Sequence, residues 1–226
     1  MDGEHPAGQY LEALFEISEE DITPIRARLA DWMGVSQAAV SSAVRRLVAD
    51  GYLREDGRRL AFTAKGDRLA QKLVRRHRLA EHLLVRVIGL PWHKAHHEAE
   101  RWERVITDEV ESRLVEILGD PATCPHGNPI PGSSRPVDLT SLVPLKDVRP
   151  DGEVILRRLT EDLELQLDVM RFLEDSGLVP GARLTVKTIG PDGTMNLSVA
   201  GHPVALGPHL SDNLWVESAR RSHRRR

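Results

Sequence analysis

The stretch 23–53, "TPIRARLADWMGVSQAAVSSAVRRLVADGYL", constrains the chain more than any other. Ala30, Gly34 and Val40 have the relative spacing of a helix-turn-helix: a small residue where two helices cross, a glycine in the left-handed turn, and an apolar contact from the second helix. Ser36 is placed to cap that second helix, leaving Gln37, Ala38, Ala39, Ser41 and Ser42 along its exposed N-terminal part. Such a small face can approach the DNA major groove closely, where Ala touches a thymine methyl and Ser bonds a base edge or a phosphate. The following run, "GYLREDGRRLAFTAKG" (51–66), predicts two short strands around Asp56–Gly57, a hairpin wing that presents Arg54, Arg58 and Arg59.

Charge is distributed to match. The formal net charge is only −3, yet residues 1–22 hold seven acidic and no Lys or Arg residues, whereas 23–78 hold thirteen basic and five acidic, a block of +8. The last nine residues, "SARRSHRRR", add five Arg, so 79–217 carries −9. A basic block in an acidic chain points to an anionic partner, most often nucleic acid. Arg26, Arg28, Arg45, Arg54, Arg58 and Arg59 are the candidate phosphate contacts. No apolar run approaches the length of a membrane helix, and the N-terminus lacks the pattern of a signal peptide, so a cytoplasmic protein without membrane contact is expected.

Two helical stretches follow. In 67–88 an apolar stripe runs through Leu69, Leu73, Ala80, Leu83, Leu84 and Val87; in 93–118 another runs through Ala95, Ala99, Trp102, Ile106, Val110, Leu114 and Ile117. The pair has more apolar surface than a small winged domain can cover, and a two-fold dimer is the expected use of the excess. Residues 119–146 are rich in Pro, Gly and Ser and read as a linker. Beyond them, a short helical segment around 160–176 precedes strand-like runs, "RLTVKTI", "TMNLSVA", "HPVALG" and "NLWVE", which predict a small β-barrel-like domain. The expected division is 1–66 winged helix-turn-helix, 67–118 helical dimerisation and metal-binding domain, 119–146 linker, 147–217 barrel and 218–226 disordered basic tail. The fold class is mainly α with small β parts.

The helical stretches also carry histidines. "HRLAEHLL" (77–84) and "HHEAERWER" (96–104) each place a Glu four residues after a His. At 100° per residue His77 and Glu81 share one helical face, and His96, Glu100 and Glu103 share a face of the next. Side chains of this kind on adjoining helices can converge on one divalent ion. "HEAER" lacks the second His of H-E-x-x-H, and "HRLAEH" is one residue too long for H-x-x-E-H, so a hydrolase is not expected. The single Cys124 excludes a multi-cysteine zinc site, and any metal is expected on His and carboxylates.

Taken together, the helix-turn-helix stretch, "HRLAEHLL", "HHEAERWE", "TDEVE" (107–111) and "GNPIPG" (127–132) resemble the diphtheria toxin repressor family of metal-dependent transcriptional regulators. The resemblance runs from Gln9 to Glu217. It implies a homodimer with a winged helix-turn-helix, a helical dimerisation domain and a C-terminal SH3-like β-barrel. It also implies Fe2+ or Mn2+ as co-repressor, palindromic double-stranded operators, and repression of metal-homeostasis genes.

By the same resemblance, His77, Glu81 and His96 stand at helical positions of the family's ancillary site, and "LTEDLELQLD" (159–168) places Glu161 and Glu164 where the SH3-like domain contributes ligands. At the primary-type site Gln9 stands where iron sensors have Met and manganese sensors have Asp. Glu100 replaces the iron sensors' Cys, Glu103 is retained, and Glu12 matches a carboxylate of the manganese-sensing branch. Arg104 stands where a His ligand is expected. A guanidinium has no lone pair to offer a metal, so Arg104 is expected either to form a surface salt bridge beside an otherwise normal site or to place a fixed positive charge there that weakens metal binding. Two alternatives come from other classes: a metal-independent winged-helix regulator, and a metal-binding enzyme or storage protein that uses the His/Glu cluster.

Overall fold

Leu11, Leu14 and Ile17, three residues apart, are the buried stripe of the first helix, α1 (Gly8–Glu19). Two more helices follow, α2 (Arg26–Met33) and α3 (Gln37–Ala49), then a hairpin of β1 (Leu53–Asp56) and β2 (Arg59–Phe62), and a long helix α4 (Ala64–His82). The computed structural model describes residues 8–219, so all but the first two residues of the basic tail lie outside it.

The turn between α2 and α3 forms as its residues require. Gly34 closes α2 at φ 63°, a left-handed conformation that a side chain disfavours, and its N–H turns back to the last carbonyls of the helix. Ser36 Oγ accepts from the Ala39 N–H at 3.2 Å and starts α3. Ala30 and Val40 are buried at the crossing. In the hairpin, Leu53 pairs with Phe62 and Asp56 with Arg59, leaving Gly57 and Arg58 as the two-residue turn of the wing. Burying Leu11, Leu14, Leu29 and Leu47 completely contributes roughly 1.5–3 kcal/mol each to this core.

The chain divides into two units. Of the described residues, one takes in 8–80 with Ala99–Asp120 and Ile130–Ser133; the other takes in Glu81–Glu98, Pro121–Pro129 and 134–219. Both α4 and the next helix, α5 (Ala95–Trp102), therefore cross a boundary between units. In the first unit, α6 (Asp108–Leu118) is tied to α4 by ion pairs of Arg75 and Arg76 with Glu111, at 3.0 Å each, and of Arg76 with Asp108.

The stretch 93–118, expected as one helix, is broken. After α5 the backbone tightens to a 3-10 turn over Glu103–Val105, and α6 starts afresh with Thr107 Oγ1 accepting from the Val110 N–H at 3.2 Å. Asp108, Glu109 and Glu111 in the new first turn suit the positive end of the helix dipole. Val105, Val110 and Ile117 of this stretch stay 74%, 45% and 66% exposed, while Leu114 is buried.

The second unit is built on a six-stranded antiparallel sheet in the order β3–β8–β4–β5–β6–β7. Its strands are β3 (Val143–Pro144), β4 (Glu153–Leu159), β5 (Arg183–Ile189), β6 (Met195–Val199), β7 (His202–Leu206) and β8 (Leu214–Ser218). Three helices interrupt them: α7 (Glu161–Glu164), α8 (Leu167–Asp175) and α9 (Pro208–Asn213). The four predicted strand runs appear as β5, β6, β7 and β8, and the helical segment near 160–176 is α7 and α8. Leu156, Leu163, Leu173, Val186 and Leu214 lie at the centre of this core. Within 119–146, expected as a linker, Cys124, His126, Asn128 and Leu145 are buried, so part of this stretch is built into the domain. Among the described residues no helix is long and apolar enough to cross a membrane.

Candidate functional site

In the first unit, α1 supplies Glu12, α4 supplies His77 and the 3-10 turn supplies Glu103, with one ligand atom of each within 4.8 Å of the others. His77 Nδ1 is 2.7 Å from Glu103 Oε2 and 3.8 Å from Glu12 Oε1. His77 and Glu103 are buried and Glu12 is nearly so. Glu103 is the first residue of the 3-10 turn that follows α5 and is buried there. Of the other residues expected here, Gln9 is exposed on α1, and Glu100 is half-buried on α5 and belongs to none of the potential ligand groups among the described residues. Arg104 is half-exposed, its Nε 3.9 Å from Glu103 Oε1.

In the second unit, five side chains meet in a buried pocket of charge: Glu81 at the end of α4, His96 on α5, Glu161 and Glu164 on α7, and His126 from the loop before the sheet. His96 Nδ1 lies 3.3 Å from Glu164 Oε2, 3.5 Å from Glu81 Oε1 and 4.0 Å from Glu161 Oε2. His126 Nδ1 lies 2.7 Å from Glu164 Oε2 and 3.1 Å from Glu81 Oε1. Glu81, Cys124 and His126 form one potential ligand group, and His96, Glu161 and Glu164 another. Of the expected ancillary residues, Glu81, His96, Glu161 and Glu164 are in this unit, while His77 belongs to the first, one turn before Glu81 on α4.

His126 and Cys124 join the cluster without having been predicted from sequence. Cys, Pro and His in succession within a Pro/Gly-rich run give only a faint signal, and a lone cysteine argues against a thiol ligand. The fold supplies what the sequence lacks. Cys124 N–H bonds to Asn128 O at 2.8 Å, Gly127 N–H to Cys124 O at 3.0 Å, and Leu159 N–H of β4 to His126 O at 3.0 Å. The loop is thereby closed on itself and stitched to the sheet. Gly127 has φ 98°, and a Cβ there would stand 2.0 Å from Arg157 O, so no side chain fits.

The electrostatics follow from burial. Removal from water alone would push the His126 imidazole toward neutrality, but the carboxylates of Glu164 and Glu81 outweigh it and hold its pKa well above the ordinary value. Burial likewise opposes ionisation of Glu164, and His126 overcomes it, so that carboxyl stays below its usual range. Cys124 is pushed up to about 12 by burial and by the Glu81 and Glu164 charges. Three carboxylates crowded out of water cost several kcal/mol each unless positive charge compensates them. Carboxylate oxygens, imidazole nitrogens and a thiol form a donor set suited to a first-row divalent ion.

A third surface lies on the helix-turn-helix. Gln37, Ala38, Ala39, Ser42 and Arg45 are exposed along α3, with Ser36 exposed at its cap and Ser41 half-buried. Arg28, Arg54, Arg58 and Arg59 are exposed as well, and so is Arg46, which the helical pattern alone did not single out. Arg26 differs: its Nη2 is 2.5 Å from Glu55 Oε1, which ties α2 to the wing.

Three family models cover most of the chain. The iron dependent repressor N-terminal DNA binding domain matches residues 5–61, the iron dependent repressor metal binding and dimerisation domain matches 63–132, and the FeoA domain matches 143–218. The iron-dependent repressor IdeR of Mycobacterium tuberculosis is 44% identical over 211 residues, 88% of this chain and 91% of its own length. The chain belongs to the iron-dependent repressor family.

The chain is also similar to other metal-dependent repressors. The diphtheria toxin repressor of Corynebacterium diphtheriae is 35% identical over 92% of this chain and 95% of its own. A solved manganese-dependent transcriptional repressor in complex with manganese superposes with a TM-score of 0.82 at 28% identity, covering 94% of this chain and 99% of that one. ScaR with bound Zn2+ superposes with a TM-score of 0.77 at 28% identity, covering 95% and 100%.

Proposed function

We propose that this chain is a transcriptional repressor activated by Fe2+ or Mn2+, and that its sensing residues are the two buried clusters. In the second unit Glu81, His96, His126, Glu161 and Glu164 are the donors, with Cys124 beside them; in the first unit Glu12, His77 and Glu103 are. Gln9 and Glu100 are outlying members of the first-unit set. The observation that carries the reading is the burial of Glu81, Glu161 and Glu164 together, each at most 3% exposed. Such carboxylates are tolerated out of water when positive charge compensates them or protons neutralise them, and imidazoles stand beside them here as further metal donors. An ion held by Glu81, His96, His126, Glu161 and Glu164 would supply that positive charge.

The residues then have distinct tasks. The imidazoles accept the ion in their neutral form and release any proton they carry. The carboxylates neutralise charge. The exposed α3 face, Ser36, Gln37, Ala38, Ala39, Ser41 and Ser42, enters the major groove, and Arg28, Arg45, Arg54, Arg58 and Arg59 hold phosphates, with Arg26 bracing the wing. The protein acts as a homodimer on a palindromic operator in the cytoplasm, and the exposed Val105, Val110 and Ile117 suit a contact between copies. Metal promotes repression by binding the DNA-competent arrangement more tightly than the other.

Calorimetric titration with Mn2+ and with anaerobic Fe2+, with and without a palindromic duplex, tests this. Mutual strengthening of metal and DNA binding is expected, since the two are linked. DNA binding indifferent to a chelator would refute it, as would metal binding that leaves DNA affinity unchanged.

A further inference from the structure

Asn128 and Arg158 are as deeply buried as the metal-binding candidates, at 0% and 4% exposure, yet neither offers itself to an ion. They are joined in a chain. Arg158 Nε donates to Asn128 Oδ1, and Asn128 Nδ2 donates to Glu164 Oε1 at 2.6 Å. A guanidinium only donates, so the carboxamide oxygen must face Arg158 and its NH2 must face Glu164. The amide has one orientation because its partners leave no other.

The two oxygens of Glu164 are consequently in different service. Oε1 is bound to the scaffold through Asn128, while Oε2 is 2.7 Å from His126 Nδ1 and 3.3 Å from His96 Nδ1. The elements that hold the chain are joined at β4. Asn128 sits in the loop stitched to β4, and a register shift between Leu156 and Arg158, where β4 pairs with β8, accompanies an inward-facing Arg158.

We infer that Arg158 and Asn128 are positioning residues that restrict Glu164 to coordination through Oε2 alone, and that this restriction sets which ions the buried cluster prefers. The inference rests on the reading of that cluster as a metal site. Large hard cations such as Ca2+ take six to eight oxygen ligands and commonly clamp a carboxylate through both oxygens, whereas Mn2+ is satisfied by an octahedral set of single donors. With Oε1 withheld, the cluster offers single donors and no carboxylate clamp from Glu164. Loss of the Arg158–Asn128 chain frees Oε1, loosens Glu164 and weakens the distinction.

The test compares the full-length parent with Asn128→Ala, Asn128→Ser, Arg158→Met and Arg158→Lys, using MnCl2 and CaCl2 in competition calorimetry and the electron paramagnetic resonance spectrum of bound Mn2+. Asn128→Ala and Arg158→Met are expected to weaken Mn2+ binding by about 10–100-fold. They should also narrow the Mn2+ over Ca2+ preference by about tenfold or more and change the resonance line shape. Arg158→Lys retains a donor for Asn128 Oδ1 and should behave as the parent does. If either disrupting variant does not fold, as judged by circular dichroism, Asn128→Ser replaces it with a smaller change at the same link.

A purely structural role would lower the melting temperature and leave the ion preference and spectrum unmoved, and that result would overturn the inference. Glu164→Ala separates the positioning role from the metal site beneath it. Parent-like Mn2+ binding in Glu164→Ala would overturn the metal reading of the cluster, and the inference with it. Weakened binding in Glu164→Ala with parent-like behaviour in the Asn128 and Arg158 variants would overturn the positioning role alone.

Discussion

His77 Nδ1 lies 2.7 Å from Glu103 Oε2, and both side chains are almost wholly removed from solvent. The contact joins α4 to the short 3-10 turn that interrupts the helical stretch, and Glu12 completes the group. His77→Ala should therefore further weaken the looser binding of an ion in the first unit, by at least the roughly 10–100-fold that loss of an outer-shell partner costs. Titration of His77→Ala beside Glu81→Ala checks this: parent-like binding in both variants would remove both assignments.

Arg104, half-exposed beside Glu103, adds positive charge where an ion would have to sit. One tight ion per subunit is expected in the parent, and Arg104→His should add a second by replacing a donor-only group with a nitrogen that has a lone pair. Stoichiometry measured by metal analysis after gel filtration decides it. Two tight ions in the parent would refute the inhibitory role.

Acidity should work in opposite directions with and without metal. Because Glu164 and Glu81 raise the folded-state pKa of His126 despite its burial, the proton on His126 stabilises the metal-free protein. That contribution is complete below the unfolded pKa of about 6.5 and is lost as pH rises through the elevated folded value. Metal binding must displace the same proton, so affinity should rise with pH across that window. Thermal unfolding of the metal-free protein and Mn2+ titrations at matched pH values measure the two trends. His126→Phe should flatten both.

Cys124 is held as a thiol at neutral pH, with a pKa pushed up to about 12. Iodoacetamide should label it slowly in the folded metal-free protein. If the ion draws on its sulfur, adding Co2+ should produce a thiolate-to-metal charge-transfer band in the near ultraviolet that Cys124→Ser lacks. Identical spectra from the two proteins would leave the cluster to nitrogen and oxygen donors.

On the DNA-binding surface, Arg45→Ala and Arg58→Ala should each lower the log–log salt slope of operator binding by about 0.9 for every phosphate that is no longer neutralised. Arg26 is engaged with Glu55 at 2.5 Å, and Arg26→Ala should lower the slope by clearly less. Equal slope changes for all three would show that Arg26 also serves the phosphates.

The helix-turn-helix was legible because its constraints are local: Gly34 must turn left-handed, Ser36 must cap, and Ala30 and Val40 must meet, all within eleven residues. Glu81, His96, Glu161 and Glu164 were legible through the resemblance, since neither helical spacing nor composition brings α7 to α5. Three features escaped for different physical reasons. The break at Glu103 contains no Gly or Pro, and Thr107 with its acidic first turn is its only local mark. β4 has no clean alternation to announce it, and its register shift around Arg157 disturbs the pairing with β8. His126 and Cys124 belong to a loop whose Pro and Gly content reads as connection, and their burial depends on bonds to a strand more than thirty residues later.

That loop turns on Gly127, where a Cβ would stand 2.0 Å from the carbonyl oxygen of Arg157. In a library randomised at this one position, selection for metal-dependent repression should return glycine almost alone, although glycine contributes nothing to an ion or to DNA. His126, Cys124 and Asn128 can be exchanged one at a time, at some loss; the turn that delivers them cannot. The route by which such a sensor could drift toward another metal therefore runs through its side chains, with the backbone at Gly127 inherited unchanged.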